Sequence, residues 1–171
     1  MQLGVTAEKL EKEGVQTLGV IASSPERARL FFRYRPPRIP VGADPDLVTH
    51  RAYGLPNSAL TPEIWQAVQS AAVDLLRQLK QPEAPLAEAY DRVGQLDGFR
   101  VTEQDRAQLQ RHQAQLIGHF LIDREGIVRW TNVECARDGL AGVDRMPSDE
   151  ELLAAARDLR APPSQPSAPR E

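Results

Sequence analysis

Among 171 residues there is one cysteine and there are three histidines. A lone Cys135 excludes an internal disulfide framework and a cysteine-built zinc cage. His50, His112 and His119 are too scattered for metal-ligand spacing, so no metal and no organic cofactor are expected. No apolar run approaches the roughly 20 residues that a membrane span needs. Met1-Gln2-Leu3-Gly4 has neither a basic n-region nor an apolar h-region, so a secretory signal is not expected and the expected location is cytoplasmic. There is no Gly-x-Ser-x-Gly elbow and no glycine-rich phosphate loop. A net charge of −3 argues against bulk electrostatic binding to nucleic acid. What is present, 41% hydrophobic and 26% charged residues, is the composition of a globular domain able to bury a core without staples.

The pattern along the chain alternates helix and strand. Residues Thr6 to Glu13 read as the end of an amphipathic helix closed by Gly14. The apolar, β-rich run Val15 to Ala22 reads as a parallel strand buried on both faces. Ser24 caps a helix whose first residue is Pro25, and that helix runs to Tyr34, before Pro36-Pro37. A short strand at Ile39 to Ala43, a turn at Asp44-Pro45-Asp46 and a brief helix ended by Gly54 follow. Thr61-Pro62 opens a long helix to Leu79, with Ile64, Val68, Ala71, Ala72, Leu75 and Leu79 on one face. Weaker helices span Leu86 to Val93 and Thr102 to Gln113. The clearest β signal is Leu116 to Ile122 and Ile127 to Val133, joined by Asp123-Arg124-Glu125-Gly126, an antiparallel hairpin. Gly139 and Gly142 mark an irregular loop. Ser148 and Glu151 form a capping box for a helix that packs Leu152, Leu153, Ala156 and Leu159 inward. Ala161 to Glu171, rich in proline and serine, reads as a disordered tail. The domain is therefore expected over 1–160, with the tail at 161–171.

Four segments carry a family likeness: a buried strand ending VIA, then SPERARLFFRYRP, ADPDLVTHRAYGL and GHFLIDREGIVRW. Together with the stretch Asp97-Gly98-Phe99-Arg100-Val101-Thr102-Glu103, their order resembles the thioredoxin-like redoxins of the alkyl hydroperoxide reductase / thiol-specific antioxidant type, in their peroxiredoxin-like branch. The likeness covers roughly Val15 to Leu159. It implies an α/β fold, a thioredoxin-like three-layer α/β/α sandwich with a helical insertion at about 61–113. It also implies a thiol-dependent oxidoreductase that reduces a peroxide or exchanges a disulfide. Its partner would be a thiol reductant such as thioredoxin or a small-molecule thiol.

The departure from that family is at the front. Its members open with a strand and a turn that sets the reactive cysteine at a helix N-terminus, where amide donors and the helix dipole create a thiolate. Here no cysteine precedes Cys135. The resemblance places the absent strand between Val15–Ala22 and Leu116–Ile122, and its loss leaves two inner edges unpaired. Two origins are expected, a start codon assigned late or a natural truncated paralogue. The first is favoured because a sheet tolerates an unfilled centre poorly. In-frame upstream codons for a strand and a Cys-bearing turn would decide between them.

Two residues remain as catalytic candidates. Cys135 is the only thiol; Glu134 beside it should raise its pKa and Arg137 lower it, and an incidental free cysteine is the simpler reading. His119, in the first hairpin strand, would lie near a reactive cysteine restored upstream and tune it; the simpler reading is a histidine hydrogen-bonded to backbone. Arg27, Arg29, Arg33, Arg35 and Arg38 interleave with Phe31, Phe32 and Tyr34. Aromatics facing the sheet, with arginines complementing the helix C-terminus, explain them better than an anion or RNA surface. Lacking the family's reactive cysteine, the chain is expected to be inactive. The alternative is a non-catalytic thioredoxin-like module that binds partners, a second copy included, through its open sheet edge or inserted helices.

Overall fold

The helical start of the chain is short-range chemistry. α1 (Gln2–Lys12) places Lys9 and Lys12 in its last turn, where cations suit the dipole, and Gly14 closes it at φ +74°. This computed structural model describes residues 2–96, 98, 100 and 102–159. The Pro/Ser-rich tail and Asp97, Phe99 and Val101 of the family-like stretch lie outside them. β1 (Gly19–Ile21) leads to α2 (Pro25–Tyr34), whose Ser24 hydroxyl accepts the Arg27 N–H. β2 (Val41–Ala43) then pairs parallel to β1, Gly19 opposite Val41. α3 (Val48–Ala52) follows, its first amides held by Asp44, which accepts from Val48 at 2.9 Å and Thr49 at 2.7 Å. Burial opposes the Asp44 charge, yet those hydrogen bonds outweigh it and hold its pKa down.

β3 (Asn57–Ser58) pairs antiparallel with β4 (Ala114–Gln115), closing off α4 (Pro62–Gln78), α5 (Leu86–Gln95) and α6 (Glu103–His112) as one excursion. β5 (Gly118–Ile122) and β6 (Val128–Val133) are the expected hairpin, Phe120 opposite Thr131, with a register shift after Leu121. Its turn is set by Asp123, whose carboxylate accepts the Glu125 and Ile127 amides at 2.9 Å each, and by Gly126 at φ +81°. The expected irregular loop contains a 3-10 turn at Gly139–Gly142. α7 (Asp149–Asp158) opens on the expected Ser148–Glu151 capping box.

The architecture is mixed α/β, and its strands form three two-stranded ladders among the described residues. The run Val15 to Ala22 is not a strand buried on both faces. Only its last part pairs, on one side, and Leu18 is 67% exposed. A parallel strand is buried when helices cover both of its faces, and here Leu18 and Val20 reach the surface.

Among the described residues the buried apolar side chains form two separate clusters. Leu10 of α1, Leu121 of β5 and Leu152 and Ala156 of α7 form the first, with Val15, Trp130, Leu153 and Leu159 against it. The Arg157–Glu13 and Lys9–Asp149 pairs and the Thr6 hydroxyl donating to Asp149 lash α1 to α7 at its rim. On the opposite side of the hairpin, the rings of Phe120 and Tyr53 lie 4.8 Å apart. The second core joins α4 to α5 through Ala72, Leu76 and Ala89.

The buried stripe of α4 differs from the sequence expectation: Gln69, Ala72 and Leu76 are buried, whereas Leu79 is exposed. Gln69 accounts for the difference. Its Nε2 donates to the Ala87 carbonyl at 3.1 Å and its Oε1 accepts the Tyr90 N–H at 3.0 Å, so an amide is the contact point of the helix pair. Gln69→Leu removes both bonds from a buried position, and we expect it to cost about 2 kcal/mol, read as a lower urea midpoint of the step that unfolds the α4–α5 pair.

Candidate functional site

β6 ends by delivering Glu134 and Cys135 to the loop that runs to α7. Glu134 is buried, at 8% exposure, and its carboxylate is a clasp. Oε2 accepts the Ile117 N–H at 2.8 Å and Oε1 accepts the Asp144 N–H at 2.5 Å, while its own N–H donates to the Ile117 carbonyl at 2.9 Å. One side chain thus ties the start of β5 to the far end of the loop. Cys135 follows at φ +61°, a left-handed conformation uncommon for a residue with a Cβ. Gly142 is folded back onto it; a Cβ there would lie 3.3 Å from Cys135 Cα and N. Beside them is a hollow of about 180 Å³, lined by Asn132, Cys135, Arg137 and Arg145 among others.

The electrostatics oppose thiol chemistry. Burial first, and the Glu134 carboxylate second, push the Cys135 thiol above its ordinary pKa. The expected lowering by Arg137 is not found, since that guanidinium points to Glu151, 4.0 Å away. Partial burial and Glu134 likewise push the Asp144 carboxyl up. A protonated thiol is a poor nucleophile. We therefore expect iodoacetamide to alkylate Cys135 in the folded protein more slowly than free cysteine at neutral pH, and faster once urea unfolds it.

His119 does not line this hollow. It sits opposite Asn132 in the hairpin ladder, and burial lowers its pKa against weaker upward pulls from the Asn132 backbone and Glu134. The expected backbone hydrogen bond is represented by that Asn132 contact, while Nδ1 is buried with no hydrogen bond of ordinary geometry. Glu134 acts on both candidates, although in sequence it is only a neighbour of the cysteine. A charged residue between the strand-ending Val133 and the sole cysteine gives no sign in sequence that it turns inward.

The arginine cluster of α2 resolves into separate tasks. Arg27 is 7% exposed and grips Asp105 of α6 with a two-pronged contact, Nε to Oδ1 and Nη2 to Oδ2. Arg35 lies over the Phe31 ring at 5.0 Å, and Arg38 reaches Glu8 at 2.9 Å. Trp65 is a ring partner of Tyr90, 5.3 Å away, and Trp130 packs on the first core. Among the described residues no three histidine, cysteine or acidic side chains gather as a metal cluster, and no helix is long and apolar enough to cross a membrane.

No family model, no curated protein and no solved structure matches this chain.

Proposed function

We propose that the chain is the scaffold of a thioredoxin-like redoxin of the alkyl hydroperoxide reductase / thiol-specific antioxidant type, with the helical excursion α4–α6 inserted into it. The observation that carries this reading is the order of two half-sheets. A parallel β1–α2–β2 unit is followed, after the excursion, by an antiparallel β5–β6 hairpin and α7. The hairpin is covered by α1 and α7 on one face and by Tyr53 on the other, as a three-layer sandwich requires. In this reading the scaffold supports a thiol rather than supplying it. A redoxin needs a thiolate, and Cys135 is held the other way.

Reconstitution tests the proposal. A β-strand and a cysteine-bearing turn are joined ahead of Gln2, so that the cysteine opens α1, and a serine version serves as control. Expected is peroxide consumption that depends on thioredoxin or a small-molecule dithiol and is absent from the serine version and from the unextended chain. A restored cysteine that remains inert and titrates at or above about 8.5, the ordinary thiol value, overturns the reading.

The raised pKa of Cys135 also favours a second reading, a partner-binding thioredoxin-like module without catalysis. It predicts a stable complex, with another protein or a second copy, and no dithiol-dependent turnover in any version.

A further inference from the structure

The loop between β6 and α7 is strained at two points. Cys135 at φ +61° and Asp144 at φ +60° both hold a left-handed conformation without being glycine, a state that persists only where the surroundings impose it. Three contacts impose it here. The Glu134 carboxylate accepts the Asp144 N–H at 2.5 Å and so fastens the far end of the loop to the end of β6. Gly142 is buried against the Cys135 backbone, so close that a Cβ would lie 3.3 Å from Cys135 N and Cα. The third contact is α4, which lies against the 3-10 turn Gly139–Gly142.

Between its strained ends the loop is tied to itself. The Gly139 N–H donates to the Cys135 carbonyl at 3.0 Å, the Arg145 N–H donates to the Gly142 carbonyl at 3.2 Å, and the Arg145 guanidinium reaches Asp138 at 3.1 Å. Such a segment moves as one piece, and its hinges are the positions whose backbone angles relax on release, Cys135 and Asp144. The two sides it touches belong to different clusters. Ala72 and Leu76 of α4 pack with α5, whereas Leu121 of β5 and Leu152 of α7 pack with α1. The 3-10 turn is therefore a place where the helical excursion bears on the hairpin assembly, and the thiol sits at the hinge of the loop that carries that turn.

We infer that residues 135–144 form a lid on the Cys135 hollow that is held shut by the seating of α4 on its 3-10 turn, so that departure of the α4–α5 pair uncovers the thiol while the hairpin stays folded. The coupling is carried by one element with two arrangements, closed with α4 in place and relaxed without it. Coupling of this kind runs both ways, so loosening the lid also loosens α4. None of this rests on the redoxin reading, because an inert thiol reports the lid as well as a reactive one.

The test holds the full chain at stepped urea concentrations and pulses it with iodoacetamide. Hydrogen exchange on α4 and on β5 is read by mass spectrometry in the same samples. Alkylation of Cys135 is expected to rise about tenfold or more at urea concentrations where α4 exchanges freely and β5 is still protected. Gln69→Leu, which weakens the α4–α5 contact from outside the loop, should move that rise to lower urea together with α4. In the reverse direction, Glu134→Gln and Gly142→Ala loosen the lid and leave the sequence of α4 intact. Each should speed exchange on α4 without urea by about fivefold or more, a readout on which the acidity of the thiol has no bearing. A thiol that stays slow until β5 loses protection, a rise that does not follow Gln69→Leu, or α4 exchange unchanged in both lid variants each overturn the inference. Peroxide turnover is not read, so failure here leaves the redoxin test standing.

Discussion

Asp105→Ala is expected to lower the melting temperature of the transition that frees α6 by about 10 °C, the counterpart of losing about 3 kcal/mol. The aspartate does two jobs at once. It is the partner of the buried Arg27 guanidinium, and it closes the α6 capping box by accepting the Thr102 N–H at 2.6 Å and hydroxyl at 2.8 Å. Its removal takes the carboxylate away from a guanidinium that stays inside the protein, where the Arg100 carbonyl lies 3.4 Å from Nη2. Removing one member of a buried pair costs more than the pair contributes, because the survivor keeps its desolvation penalty. The double variant Arg27→Met with Asp105→Ala should therefore recover much of the loss. A double variant no more stable than Asp105→Ala alone would refute this account.

The same contact predicts an acid dependence. Burial opposes the charge of Asp105, but Arg27 and the Thr102 cap outweigh it and hold the carboxyl below its ordinary value of 3.8. A folded-state pKa below the unfolded one stabilises the protein above the unfolded value, and this is lost as pH falls through the folded one. Wild-type stability should thus decline below about pH 4 more steeply than that of Asp105→Ala.

Glu134→Ala is expected to cost about 3–6 kcal/mol, since the amides of Ile117 and Asp144 lose a charged acceptor and such bonds contribute about 1.5–3 kcal/mol each. The charge can be separated from part of the hydrogen bonding. Glu134→Gln retains one acceptor oxygen, gives up one of the two bonds, and removes the negative charge that helps raise the Cys135 and Asp144 pKa values. Cys135 should alkylate faster in Glu134→Gln than in the wild type at about pH 8, near the ordinary thiol pKa, with smaller loss of stability than in Glu134→Ala. An unchanged alkylation rate would mean that burial alone holds the thiol protonated.

What was legible in the sequence was local. Ser24-Pro25, Thr61-Pro62 and the Ser148–Glu151 box each satisfy orphan amides within one turn, and all three open helices where they were expected. The Asp123–Gly126 turn was readable for the same reason. What was hidden depends on partners far along the chain. Arg27 meets Asp105 across 78 positions, and nothing near Arg27 sets it apart from the four other arginines around α2. Gln69 is not one of the apolar residues that mark a face of α4 in sequence, and its bonding partners, Ala87 and Tyr90, belong to the next helix. The candidate site shows the same division. The sequence exposed Cys135 and its acidic neighbour, while the inward turn of Glu134 depends on the amides of Ile117 and Asp144.

The cores that hold α1, the hairpin and α7 together on one side, and α4 with α5 on the other, share no buried residue. Heating should accordingly dismantle this protein in stages. The helical pair and the hairpin assembly each form a cooperative block with its own transition, so calorimetric and van't Hoff enthalpies should disagree. A proteinase applied at intermediate temperature should cut within the α4–α5 region while the segments carrying Leu121 and Leu152 stay intact, and the Arg27–Asp105 contact should mark how far melting spreads into α6.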